Sequence, residues 1–304
     1  MTSISRRSLL TAAAAISVGA NAAGQSIGLC TGTYGMKSLS NRAALELIAD
    51  IGYDGVEISL LPGWPADPLA LEKPARMEVR RVLEARRLAL PSLLESIPLT
   101  PGRHAANLER LRRAAEMAHD LAPAKPPIVE TVLGLIEADW ESSKTRMAEE
   151  LAGWAKVARE TGIAVAIKAH ADQAVNSPDR AEWLLKQVDS SSLRLIYDYS
   201  HMYIEGFDLE ASLRQLFPYT VFIAVKDGRK TAAGHDFLLP GDGNTNYRAY
   251  FALLKQLNYR GYLGVEVSAL IFRQPGYDPE AAARRSYANL APLMAAAGIR
   301  SKRA

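Results

Sequence analysis

The sequence predicts a single (β/α)₈ barrel, on two main observations. Eight short apolar runs alternate with stretches of helical periodicity between residues 27 and 297. Strands that alternate with helices in this way indicate parallel pairing with helical crossovers, and eight such units in about 280 residues suit a (β/α)₈ barrel. A doubly wound open sheet is the alternative, but the glycines of the first run do not form the G-x-G-x-x-G phosphate turn of that fold.

The predicted strands are short apolar segments. The sixth of them, LRLIYDYSH, ends in a carboxylate and an imidazole, which is typical of a buried strand that delivers acid/base groups to a site. The eight predicted strands lie at residues 27–35, 52–60, 88–96, 126–134, 162–171, 193–201, 220–228 and 262–268.

The predicted helices are recognised by apolar residues three and four positions apart. In the first helix these are Ala44, Leu47, Ile48 and Ile51, and Gly52 is a typical C-terminal glycine. The predicted helices lie at residues 41–52, 75–87, 103–120, 142–161, 178–188, 208–217, 247–261 and 279–297.

The N-terminus resembles an export signal. Arg6 and Arg7 precede the apolar run TAAAAISVGA and a small-residue exit that ends at Ala22. This pattern is typical of a twin-arginine signal, and the run is short for a membrane span. The sequence therefore predicts a signal peptide at 1–22, a barrel at 26–298 and a C-terminal tail at 299–304. It also predicts a periplasmic protein without a membrane anchor once the signal is removed.

Composition and charge exclude several classes of protein. The single cysteine, Cys30, excludes an internal disulfide framework and a cysteine-based zinc cluster. Loss of residues 1–22 removes Arg6 and Arg7, which lowers the formal charge from +3 to +1. A nearly neutral chain lacks the concentrated basic surface that nucleic-acid binding requires.

Charged side chains near the predicted strand ends form the candidate active site. Barrel enzymes place their active sites at the C-terminal ends of the strands, and buried charges are costly unless they are paired or used. The residues that this rule collects are Glu57, Glu95, Glu130, Lys168, His170, Asp198, His201, Lys226, Asp227 and Glu266. Lys226 and Asp227 are also expected to form a local ion pair that shapes the loop toward Gly241.

Four segments resemble the xylose isomerase-like barrel of the sugar phosphate isomerase/epimerase superfamily. They are GYDGVEIS, YDYSH, VKD followed by LLPGDGNTNY, and RGYLGVEVS, and the resemblance covers roughly residues 26–298. It implies a barrel that binds a small carbohydrate, with one divalent metal held by Glu, Asp, His and Glu at the ends of strands five to eight. Asp198 and Glu266 match two of these ligands. His201 matches a family histidine that commonly contacts substrate.

Two of the four ligand positions carry residues that do not suit a metal. Lys168 in IKAH stands in place of the Glu, and Ala224 stands in place of the His. The usual site for manganese, magnesium or zinc is therefore incomplete, and the cofactor stays open. In one hypothesis the Lys168 ammonium lies between Asp198 and Glu266 and replaces part of the metal's charge. In others, Lys168 is a structural ion pair in an inactive site, or His170 holds a relocated metal with the two carboxylates.

The favoured function is isomerisation or epimerisation of a sugar or keto-sugar by proton abstraction next to a carbonyl, with β-elimination sharing that first step. In this scheme Glu266 is the general base, Asp198 and Lys168 hold and polarise the substrate, and His201 shuttles a proton. The predicted substrate-binding residues are Glu57, Glu95, His170 and Lys226.

Two other functions stay open. A sugar-binding barrel without chemistry would explain the missing ligands. An abasic-site endonuclease would need a histidine-rich zinc cluster and a basic groove, which the sequence lacks. The oligomeric state is open.

Overall fold

The computed structural model describes residues 26–134 and 140–300. Eight parallel strands close into a barrel in the order β1-β10-β7-β6-β5-β4-β3-β2, which confirms the predicted fold. The eight barrel strands are β1 (Gly28–Gly32), β2 (Gly55–Ser59), β3 (Ala89–Glu95), β4 (Ile128–Val132), β5 (Val165–Lys168), β6 (Leu193–Asp198), β7 (Thr220–Val225) and β10 (Tyr262–Val265). Two further strands, β8 (Asp227–Thr231) and β9 (Gly234–Leu238), lie outside the barrel.

The helices follow the strands around the outside of the barrel. They are α1 (Asn41–Ile51), α2 (Lys73–Ala85), α3 (His104–Leu121), α4 (Trp140–Thr161), α5 (Pro178–Val188), α6 (Tyr199–Glu205), α7 (Leu209–Leu216), α8 (Tyr247–Gln256), α9 (Ala269–Phe272) and α10 (Pro279–Ala296). Short 3-10 turns cover Thr33–Met36 and Phe217–Tyr219.

Side-chain caps explain where several helices begin. Ser40, Ser177 and Asp208 each accept a backbone N–H from the first turn of the helix that follows. Gly52 ends α1 in the left-handed conformation (φ 104°), as the sequence predicts.

The structure corrects the predicted sixth strand. β6 ends at Asp198, and His201 lies inside α6 rather than at a strand end. The physical reason is capping, because the Asp198 carboxylate accepts the backbone N–H of Ser200 and turns the chain directly into a helix.

The sequence also missed the antiparallel hairpin β8–β9 that follows β7. Its strands, DGRKT and GHDFL, are mostly polar or glycine and lack the apolar run that marks the barrel strands.

Two aromatic rings fill the N-terminal half of the barrel interior. A methyl group on Gly28 would lie 2.3 Å from the Tyr262 ring, and one on Gly264 would lie 2.4 Å from the Phe222 ring. Glycine is therefore required at both positions because the rings occupy the space of a side chain. A larger apolar core lies between the barrel and the helices.

The chain stays in contact with the barrel beyond α10. Ile299 is buried and its carbonyl accepts the N–H of Ile27, while Arg300 pairs with Asp54 at 2.9 Å. The boundary at residue 298 that the sequence suggests leaves these two residues out of the barrel that they contact. The predicted signal at 1–22 lies outside the described residues. Within 26–134 and 140–300, no helix has the length and apolarity needed to cross a membrane.

The close approach of Gly264 and Phe222 predicts a steric conflict in Gly264→Ala. We expect the variant to lose about 1–3 kcal/mol of unfolding free energy, because the new methyl group overpacks the interior. Phe222→Leu in the same chain should relieve the conflict, which urea denaturation of the two single variants and the double variant measures as a coupling energy. Wild-type stability of Gly264→Ala would contradict this packing.

Candidate active site

Five charged side chains, one from each of five barrel strands, converge toward the C-terminal end of the barrel and form what we call the charged cluster: Glu130, Lys168, Asp198, Lys226 and Glu266. Four of them are 3% exposed or less, although each carries a formal charge. Buried charges at this density require close pairing, and ion pairs between the two lysines and the three carboxylates provide it.

Lys168 bridges two carboxylates from opposite sides of the barrel mouth. Its Nζ lies 2.7 Å from Glu130 Oε1 and 2.5 Å from Glu266 Oε2. The sequence predicted that Lys168 lies between Asp198 and Glu266. The contact with Glu266 is present, but Glu130 takes the place expected for Asp198. Glu130, collected from the sequence but given no role, is the missed partner, because strand β4 lies beside β5 and points its carboxylate at the same ammonium.

Lys226 makes the second bridge of the cluster. Its Nζ contacts Asp198 Oδ2 and lies 2.9 Å from Glu266 Oε1. It therefore occupies the position between Asp198 and Glu266 that the sequence gave to Lys168. The expected local pair of Lys226 with Asp227 is wrong, since Lys226 reaches inward across the site.

Asp227 shapes the following loop by itself. Its Oδ2 accepts the backbone N–H groups of Gly241 and Gly243, both at 2.8 Å. A methyl group on Gly243 would lie 2.7 Å from Asp227 Cβ, which explains the glycine at this close approach. The Asp227 carboxylate therefore holds the loop at Gly241 without the expected ion pair to Lys226.

The pKa values of the cluster follow from burial and pairing. Burial opposes the charge on Lys168, but Glu130, Glu266 and Asp198 outweigh it and raise its pKa well above the usual value. Burial likewise opposes ionisation of Glu266, and the two ammoniums outweigh it and hold its pKa below the usual range. Both groups are therefore charged at neutral pH.

Asp198 is held by several donors besides Lys226. Its Oδ1 accepts the N–H of Ser200 at 3.0 Å and the Ser200 hydroxyl at 2.6 Å. His201 Nε2 lies 3.6 Å from Asp198 Oδ2, and His201 Nδ1 accepts the N–H of Ala171. The N–H of Ala171 therefore places the proton of neutral His201 on Nε2, facing Asp198.

His170 stacks on His201 with ring centroids 3.8 Å apart. Its Nδ1 lies 2.9 Å from the carbonyl oxygen of Ala171, so the proton sits on Nδ1 and Nε2 keeps a lone pair. Nε2 makes no hydrogen bond with another described residue. Burial, followed by the charges on Lys226 and Lys168, lowers the pKa of His170 to about 4, so the ring is neutral at pH 7.

Glu57 is a buried carboxyl group beside the charged cluster, 4% exposed. Its pKa is raised well above the usual value, first by burial and then by the neighbouring charge of Glu130. Its environment therefore favours the protonated form, and its Oε2 has no hydrogen-bond partner among the described residues.

Glu95 lies apart from the charged cluster. It is fully buried and pairs with Arg110 at 2.8 Å, so the structure gives this predicted substrate-binding residue a protein partner. Burial raises its pKa from 4.5 to about 7, although the hydrogen bond from Arg110 works in the opposite direction.

The hairpin β8–β9 covers one side of the site. Phe237 packs edge-on against His201 at 4.9 Å, and the Lys226 ammonium lies 5.0 Å from the Phe237 ring. At the outer edge, His235 lies 3.5 Å from Asp172.

An aromatic wall of Tyr34, Trp64 and Phe272 stands beside Glu266. Tyr34 stacks on Trp64 at 5.7 Å and meets Phe272 edge-on at 4.9 Å. Burial and then the charge of Glu266 raise the pKa of Tyr34. Sequence reasoning missed Tyr34 because it lies in a glycine-flanked turn after β1 with no charged neighbour.

The residues present do not fit the divalent metal of related barrels. At one ligand position the Lys168 ammonium already contacts two carboxylates, and at another Ala224 has no donor atom. Lys226 adds a second positive charge at the carboxylates that would have to bind the ion. Within the ranges that the structure describes, no three His, Cys, Asp or Glu side chains are arranged to hold a metal.

The Lys168–Glu130 contact predicts a large effect of Lys168→Met on stability. We expect a loss of about 3–5 kcal/mol in unfolding free energy, because Glu130 would stay buried without its cation. Lys168→Met with Glu130→Gln should recover most of the loss in urea denaturation at pH 7. Lys186→Met, at an exposed ion pair with Glu182, is the matched control and should change little. A Lys168→Met variant as stable as this control would contradict the contact.

The raised pKa of Glu95 predicts a specific pH dependence of stability. A folded-state pKa above the unfolded value favours the folded protein most below pH 4.5, and this contribution is lost as pH rises through about 7. Relative to Glu95→Gln, which cannot ionise, the wild type should lose about 2–3 kcal/mol of unfolding free energy between pH 4.5 and 7.5. Parallel pH profiles for the two proteins would rule out the shift.

Comparisons with known proteins agree with this architecture. Inosose dehydratase from Geobacillus kaustophilus (strain HTA426) is 24% identical over 279 residues, which cover 81% of this chain and 83% of the relative. The solved structure of the IolI protein with a bound zinc atom superposes with a TM-score of 0.74 at 18% identity, over 89% of this chain and 99% of that one. Apo 3-keto-D-glucoside 4-epimerase YcjR from E. coli gives 0.69 at 18% identity, over 88% and 99%.

The two structural superpositions show a shared fold, and a match to a family model shows that the sequence is related as well. The model of the xylose isomerase-like TIM barrel matches residues 45–293, which is most of the chain and includes every member of the charged cluster. With its closed barrel and its site at the C-terminal strand ends, this chain belongs to the xylose isomerase-like TIM barrel family.

Proposed function

We propose that this protein is an isomerase or epimerase that acts on a sugar or keto-sugar by removing a proton next to a carbonyl group. The observation that carries the proposal is the pair of ammoniums, Lys168 and Lys226, that converge on Glu266 at the barrel mouth. Such a pair supplies fixed positive charge where an enediolate oxygen would develop.

In this proposal the two lysines do the electrostatic work that a metal ion does elsewhere. A carbonyl oxygen that approaches Glu266 meets both ammoniums, which are already oriented by Glu130 and Asp198. Preorganised charges require little rearrangement during the reaction and are strong in a site shielded from water. Glu266, with 12% of its side chain exposed, is the member of the cluster most open to a substrate.

We assign the proton transfer to His170, with Glu57 as a second proton-carrying group. Glu266 has a lower pKa than His170 and both of its oxygens contact ammoniums, so it is the weaker base of the two and the base role that the sequence suggested for it moves to His170. His170 is neutral with an unshared lone pair on Nε2, which suits proton abstraction. Glu57, whose raised pKa favours its protonated form, suits donation of a proton to the substrate. His201 and Asp198 hold the His170 ring and the Lys226 ammonium in place.

The relatives support this class of chemistry without selecting one reaction. They carry names of an inosose dehydratase, an L-ribulose 3-epimerase and a 3-keto-D-glucoside 4-epimerase. Epimerisation and β-elimination both begin with loss of a proton next to a carbonyl, so one site supports either outcome. Loss of water afterwards would make the enzyme a lyase.

A second candidate is a sugar-binding barrel without catalysis. One observation favours it: both ammoniums are saturated by protein carboxylates, as a structural ion-pair network would be. A nuclease of the abasic-site type receives no support from the site, because the described residues offer no cluster of side chains that could hold zinc.

Export is a separate proposal. It rests on Arg6, Arg7 and the apolar run that follows, which lie outside the described residues. Detection of the mature N-terminus after Ala22 in a periplasmic fraction would support it.

Proton exchange tests the proposed chemistry directly. We expect the wild type to exchange the hydrogen next to the carbonyl of D-fructose, an inosose or a 3-keto-glucoside for deuterium, as followed by proton NMR. Lys226→Met should reduce exchange about 100-fold or more, because one oxyanion-stabilising cation is lost. Lys186→Met is the control and should exchange at the wild-type rate. Saturable sugar binding without exchange by the wild type would favour the binding barrel instead.

The pKa of His170 predicts an unusual pH profile for this exchange. Since the ring is neutral above its pKa of about 4, the rate should be constant from pH 5 to pH 8. Burial is the main cause of this low pKa, and the charged groups that modify it are Lys226, Lys168 and Glu266, each from a different strand end. His170→Gln should abolish exchange, because glutamine has no lone pair of comparable basicity. A rate that falls with a midpoint near pH 6.5, or persists in His170→Gln, would contradict the assignment.

A further inference from the structure

A cavity of about 610 Å³ opens at the N-terminal face of the barrel, opposite the candidate active site. We call it the floor cavity and define it by the apolar residues Leu83, Leu90, Leu121, Ile163, Val221 and Tyr262. Its lining also includes the starts of β3 and β4 and the residues that lead into β5. From Ala164 in this lining to Lys168 in the charged cluster is four strand residues, or about 13 Å. The two sites are therefore separate.

Small and rigid residues keep the floor cavity open. Gly162, Ala164 and Gly261 line it at the strand starts, where larger side chains would fill the space. The loop from Pro123 to Pro127 forms one wall and contains three prolines. Since proline restricts the backbone, this wall resists the collapse that would otherwise close an apolar cavity.

The inner end of the cavity is apolar with one polar group. This group is the hydroxyl of Tyr262, which makes no side-chain hydrogen bond within the described ranges. The Tyr262 ring fits in the barrel because Gly28 has no side chain. Val221 packs beside it against the inner apolar cluster. An apolar cavity of this volume is in the size range of small-molecule sites and is unfavourable for water.

The rim of the cavity is positively charged. Arg80, Arg87 and Lys125 stand against one carboxylate, Glu84, which pairs with Arg80 at 2.7 Å. Lys125 is exposed at the tip of the proline-rich wall and makes no ion pair with another residue that the structure describes. The rim therefore carries two net positive charges around an apolar interior.

We propose that the floor cavity binds an amphipathic carboxylate, with its hydrocarbon body inside and its carboxylate at Lys125. Apolar walls recognise the hydrocarbon body, and the charge complementarity of the rim selects an anion over a neutral molecule of the same shape. The site is independent of the proposed sugar chemistry, because none of the residues of the charged cluster lines it.

Decanoate is a suitable probe, with acetate as its short counterpart. Titration calorimetry of the full chain should show saturable binding of one decanoate and no binding of acetate, because acetate lacks the body that the cavity buries. Lys125→Glu should weaken decanoate binding about tenfold or more. Lys156→Glu, at an exposed lysine of α4 outside the cavity, is the matched control and should bind as the wild type does.

Two variants locate the binding. Val221→Trp should abolish it by filling the inner end of the cavity, and Ala124→Trp should weaken it by covering the mouth from an exposed loop without altering the core. If Val221→Trp does not fold, Ala124→Trp still decides the location. Decanoate binding that survives Ala124→Trp and Lys125→Glu would overturn the proposal, as would equal binding of acetate.

Other occupants give distinguishable results. Decanoate binding that appears only after deletion of residues 1–22 would identify the chain's own apolar N-terminal run as the occupant and would overturn the proposal. A dimer in light scattering that decanoate dissociates would do the same in favour of a second copy of this chain.

Discussion

The rest of the site depends on two ammonium groups buried among three carboxylates at the mouth of the barrel. Lys168 links Glu130 to Glu266, and Lys226 links Glu266 to Asp198. Each carboxylate would be costly to bury alone, and each ammonium would lose its proton without its partners. The alternation of charge offsets the cost of burying the five groups and fixes the position of Glu266 between two cations.

This alternation determines what chemistry the site can support. A divalent metal polarises a carbonyl through a vacant coordination position, whereas an ammonium acts through charge and hydrogen bonding. The two ammoniums also lower the pKa of Glu266, and in the proposed mechanism the proton-accepting role passes to His170, whose environment keeps it neutral. Lys168 and Ala224, at two positions where related barrels have metal ligands, therefore have two consequences in the proposed mechanism. The positive charge comes from lysines, and different residues take the acid and base roles.

Much of the fold could be predicted from the sequence, since eight apolar runs alternate with amphipathic stretches and each run forms a barrel strand. The pairing inside the site could not. Lys168 and Glu130 are neighbours because β4 lies beside β5 in register, and a list of strand ends does not say which carboxylate an ammonium reaches. The hairpin that carries Phe237 was not predicted from the sequence, because its strands lack an apolar pattern. His201 lies in a helix because Asp198 caps the N-terminus of α6. In the sequence, an aspartate after an apolar run is equally consistent with the end of a strand.

The central claim is that the ammoniums of Lys168 and Lys226 stand in the place of a divalent metal. The most direct test is the metal content of the protein, expressed in metal-supplemented medium, dialysed and analysed by mass spectrometry, with the melting temperature recorded with and without added manganese, zinc or chelator. The account predicts far less than one equivalent of any divalent metal and an unchanged melting temperature. One equivalent that survives dialysis and stabilises the fold would contradict it.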